Sequence, residues 1–148
     1  MRKKIILINA VPFVVGFILD TLINLTITTS SDTIPTVPFD AIAVAFLVVW
    51  ALLAAFVKKQ TESRKTLLLS LLAVPLAVLV LCGLQSLLGG TWPVVGIFTE
   101  VYFLPVQRLA SRMFQWVGIK NIYMFPVSCV AFLLMAAAAF VGCKLKKK

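Results

Sequence analysis

Asp20 is a carboxylate set among apolar neighbours. It lies inside the run from Ile5 to Ile27, with Gly16 and Asn24 four residues to either side on the same helical face. Keeping such a group in hydrocarbon costs about 2.5–3.5 kcal/mol on insertion scales, so it is expected to face other helices or a watery cavity. The chemistry open to it there is binding of a proton or a cation. At a rise of about 1.5 Å per residue, Asp20 comes roughly 10 Å below the outer end of its run. Gln85, near the end of a third apolar run, and Ser128, early in a fourth, come to a similar depth. The spacing predicts a polar cluster of Asp20, Asn24, Gln85 and Ser128, with Arg108 or Arg112 reaching down as the counter-charge for Asp20. The competing reading is interhelical glue, worth about 0.6 kcal/mol per hydrogen bond.

Other chemistries lack their parts. The chain has no His, and within the apolar runs no Ser or Cys stands beside a base and Asp20 is the one carboxylate, so an intramembrane site lacks both a nucleophile–base pair and an acid–base pair and no enzymatic activity is expected. Cys82, Cys129 and Cys143 include no CxxC spacing, so no metal or cofactor is expected either. Cys129 and Cys143 would lie roughly 21 Å apart along one helix, too far to bridge. Cys82 and Cys129 come out level, which makes theirs the one pairing that depth permits.

The elements that hold these residues follow from composition. Of 148 residues, 61% are hydrophobic and 13% charged, more apolar surface than a soluble domain of this size can bury. The expectation is a single all-α integral membrane domain over 1–148, a four-helix bundle with spans at 5–27, 41–57, 66–88 and 122–143. The first run follows Arg2, Lys3 and Lys4, is too long for a signal-peptide core and ends at no small-residue cleavage site, so it reads as an uncleaved helix. Asp40 is placed as the N-cap of the second span. Pro75 predicts a kink in the third, whereas Pro126 falls in the first turns of the fourth, where its missing N–H costs little. Ala51 with Ala55, and Ala138 with Gly142, are small residues at the spacing that lets helix backbones approach.

Charge orients the chain. Eleven of its fourteen Lys and Arg residues cluster at the N-terminus, between 58 and 65, and at the C-terminus, leaving Arg108, Arg112 and Lys120 for the other side. By the positive-inside rule both termini are expected in the cytoplasm. That placement also accounts for the net charge of +9 without nucleic acid. With its short Lys-bounded spans the chain resembles bacterial inner-membrane proteins in general style, and that resemblance implies the cytoplasmic (inner) membrane of a bacterium.

The segment 89–121 stands apart. From Pro105 onward, Val106, Leu109, Ala110, Met113, Phe114, Trp116 and Val117 share an arc of roughly 160°, with Gln107, Arg108, Ser111, Arg112 and Gln115 opposite. The pattern predicts an amphipathic interfacial helix over 105–117, on the outer face between the third and fourth spans, flat on lipid, roofing the bundle or presenting a surface to a partner. Trp92, Tyr102, Trp116 and Tyr123 would form an aromatic belt beside it. Glu100 argues against a fifth crossing, while a re-entrant dip over 93–104 stays compatible.

These features favour a non-catalytic small membrane protein. Its role would be accessory, regulatory or structural, exerted through membrane lipids, a membrane-protein partner or copies of itself. The alternative is a small transporter or channel subunit using Asp20 as a proton- or cation-linked site. A pore through four helices would need more lining polarity than one stripe supplies.

Overall fold

A computed structural model describes residues 2–29, 38–58, 64–88, 93–119 and 123–144, and these are helical except at a few connecting positions. The helices are α1 (Arg2–Thr29), α2 (Phe39–Lys58), α3 (Arg64–Leu88), α4 (Pro93–Trp116) and α5 (Met124–Lys144). The loop at 30–37, the turn at 59–63, Trp92, Lys120 and the tail at 145–148 lie outside the described residues.

Four helices, α1, α2, α3 and α5, are long and apolar enough to cross a membrane. Only 28–33% of each candidate span is buried within the protein. Leu7, Phe17, Val48, Leu69 and Leu133 accordingly stand exposed, a belt that calls for lipid and not water as solvent.

Local chemistry sets the helix ends. Ile42 N–H donates to the Pro38 carbonyl at 3.1 Å, so α2 begins ahead of Asp40. The expected N-cap is thereby corrected: Asp40 lies within the first turn, where its charge still meets the positive end of the helix dipole. At the end of α4, Gly118 takes φ 84°. There Gly118 N–H donates to Gln115 and Ile119 N–H to Phe114, an αL cap that suits glycine because it has no Cβ.

Proline falls inside three helices, at Pro12, Pro75 and Pro105. All three are buried, so the carbonyls they leave unbonded are enclosed by protein. Near the first two, Asn9 Nδ2 donates to the Ser70 carbonyl at 3.1 Å and joins the early turns of α1 and α3. Farther along the core, Gly142 of α5 lies against the Ala51 carbonyl of α2 so closely that a Cβ there would collide with backbone.

The structure changes the reading of α4. This helix starts at Pro93, twelve residues before the expected 105–117 element, and Pro105 falls inside it. It packs against all four other helices, with Tyr102, Phe103, Val106 and Ala110 at 0% exposure. The interfacial placement of this stretch is thereby corrected for the stripe Val106 and Ala110, and Tyr102 leaves the proposed aromatic belt for the core. The physical reason is that an apolar stripe fits lipid and protein equally well. Here α1 offers a glycine, Gly16, that lets its backbone meet the Val101 carbonyl, and a ring, Phe13, edge-on to Tyr102 with centroids 4.6 Å apart. Trp116 and Tyr123 remain exposed.

The path of α4 is defined by its neighbours. Gly96 lies beside Gln85 in the last turns of α3, Phe98 and Tyr102 meet Phe13 in the middle of α1, and Arg112 pairs with Asp40 in the first turn of α2. Both ends of α4 therefore lie toward the end of the molecule where α1 and α3 finish and α2 and α5 begin.

Candidate functional site

One face of α1 carries Asn9, Phe13, Gly16 and Asp20 at successive turns. Because Gly16 sits on Val101, α4 is drawn close past Asp20. A cavity of about 280 Å³ opens there, lined by Asp20, by Ile97, Glu100, Val101, Leu104 and Gln107 of α4, and by Met124 at the start of α5. The α4 residues recur at helical spacing, so one side of that helix forms the wall. Asn24 Nδ2, one turn beyond Asp20, donates to its Oδ2 at 3.3 Å. Two carboxylates, Asp20 and Glu100, thus line one space.

The four residues of the expected cluster separate. Asp20 and Asn24 are together. Gln85 lines a second cavity of about 310 Å³ with Cys82, Ser86 and Thr99, and this cavity shares Glu100 and Met124 with the first. Ser128 is fully buried: it accepts from Cys82 Sγ at 3.7 Å and donates to the Met124 carbonyl at 3.1 Å. Glu100, carried by α4, stands between the two groups.

The arginines are placed elsewhere than expected. Arg112 forms an ion pair with Asp40, and the Arg108 guanidinium lies over the Phe39 ring, 5.1 Å from its centroid. Asp20 shares its cavity with Leu104 and Gln107, whereas α2 presents a carboxylate and a ring right beside the two arginines. Arg108 lines a neighbouring cavity of about 230 Å³ that shares Leu104 and Gln107 with the acidic one.

Toward the middle of α1 the acidic cavity adjoins an apolar groove of about 470 Å³. Its walls are Phe13, Phe17 and Ile18 of α1 and Ile97, Phe98 and Val101 of α4. Cys82, Cys129 and Cys143 form no disulfide with one another, so the pairing that depth permits is not made. Among the described residues, no group of three His, Cys, Asp or Glu side chains is placed to hold a metal ion.

Two residues escaped the sequence reading. Asn9 is a buried donor to α3 whose signal was available, since it lies on the face of Gly16 and Asp20. Glu100 counted only as an obstacle to a crossing, yet its spacing from Ile97, Leu104 and Gln107 marks a shared face.

What fold and cavity define is an all-helical membrane protein, four membrane-length apolar helices packed around a fifth. Comparison with protein families, curated proteins and solved structures finds no match in any of the three.

Proposed function

We propose that this is a non-catalytic component of a bacterial inner membrane, with both termini cytoplasmic, acting through contact with lipid or with a partner in the bilayer. The observation that carries this reading is the filled centre. Tyr102, Phe103 and Val106 of α4 are buried in one apolar cluster with Trp50, Leu71 and Met135, where a conduit would need polar lining. What the protein offers to its surroundings is a set of apolar helix faces. Orientation is supported by the path of α4: with both its ends toward one end of the molecule, four crossings remain and the basic clusters share a side. Met113 and Trp116, exposed at the last turn of α4, and Val117 just past it are the part left to meet the outer interface.

The test is isolation in mild detergent together with reconstitution. A membrane protein recovered at fixed stoichiometry, and no ion flux from the purified chain in liposomes, is the expected result. Proton or cation flux that disappears in Asp20→Asn would instead establish the second reading, a small transporter. That reading is favoured by one observation, the joint exposure of Asp20 and Glu100 to a single cavity.

A further inference from the structure

The apolar groove between α1 and α4 runs into the acidic cavity, the two sharing Ile97 and Val101 as walls. We propose that this continuous recess binds a cationic amphiphile, with the alkyl or aryl body in the groove and the ammonium head between Asp20 and Glu100. Size permits it, since about 470 Å³ lies within the roughly 300–1,000 Å³ typical of small-molecule sites. Charge selects it. Among the described residues, the cavity wall holds two of the chain's five acids and no basic side chain. Both arginines of α4 are engaged on α2, Arg112 with Asp40 and Arg108 with Phe39.

The order of groups excludes the commonest competitor. A phospholipid carries its phosphate between its tails and any amine, so with its tails in the groove the phosphate would be pressed against the two carboxylates. A neutral lipid can fill the groove but gains nothing from the acids. A cation joined directly to an apolar body satisfies both parts at once. Binding alone is assigned, so the inference stands whether the protein acts by contact or by transport.

The experiment uses the full chain in nanodiscs of zwitterionic lipid, with the signal from empty nanodiscs subtracted. Decyltrimethylammonium is titrated calorimetrically beside decan-1-ol, the neutral molecule of the same chain length. The expected result is saturable binding of the cation, one per chain, about tenfold or more tighter than the alcohol. Asp20→Asn and Glu100→Gln each lower cation affinity by about tenfold and leave the alcohol unchanged. Ile97→Trp, which fills the groove and keeps both acids, weakens both compounds. Equal affinity for cation and alcohol overturns the proposal, as does wild-type cation affinity in Glu100→Gln or in Ile97→Trp. Should Asp20→Asn not fold, Glu100→Gln at its exposed position on α4 carries the charge test alone.

Discussion

The carbonyl oxygen of Val101 in α4 occupies the space that a side chain on Gly16 of α1 would need. This contact of backbone on backbone fixes how near α4 comes to α1. It therefore sets the shape of both the apolar groove and the acidic cavity, each of which has Val101 in its wall.

Substituting Gly16→Val forces the two helices apart, because the obstructing atom is backbone and cannot rotate away. Overpacking of this kind costs about 1–3 kcal/mol. Thermal unfolding in detergent, followed by size-exclusion chromatography, should show a clear loss of stability. An unchanged midpoint would mean that α1 and α4 are not held as described. Gly142→Val should behave in the same way through the Ala51 carbonyl.

Tyr102 separates packing from hydrogen bonding. Its ring is fully buried against Phe13 and Phe103, while its hydroxyl has no hydrogen-bond partner among the described residues. Tyr102→Phe removes an unpaired polar atom and should be neutral or stabilising. Tyr102→Ala empties the centre and should cost about 3–5 kcal/mol. A large loss in Tyr102→Phe would reveal a partner for the hydroxyl and contradict this assignment.

The pair of Arg112 with Asp40 should contribute little. The two side chains are 52% and 36% exposed, so solvent screens them and a double-mutant cycle should return about 0.2–1 kcal/mol. Its effect is expected in placement: Arg112→Ala should raise protease sensitivity near the last turn of α4. A coupling of several kcal/mol would show that the pair is far less solvated than its exposure indicates.

Four long apolar helices were legible in the sequence because hydrophobic runs bounded by Lys and Arg require only length and composition to read. The place of α4 was not legible. Glu100, Gln107, Arg108 and Arg112 make it a poor span by composition, and the stripe containing Val106 and Ala110 would suit a lipid surface equally well. What decided between lipid and protein was the partner surface, Phe13 and Gly16 on a helix some eighty residues earlier. The candidate site was half visible for a related reason. Asp20 and Asn24 lie on one helix and follow from spacing, whereas Glu100 joins Asp20 only through the packing of two helices.

In the proposed topology, α4 enters the helical body and ends on the side from which it entered, and four crossings leave both termini in the cytoplasm. Membrane-impermeant thiol labelling tests it, with single cysteines at Val117, exposed just past α4, and at Lys147, in a chain whose native cysteines are replaced. The account predicts that position 117 is labelled in intact cells and position 147 only after permeabilisation. Labelling of 147 from outside, with 117 protected until permeabilisation, would contradict it.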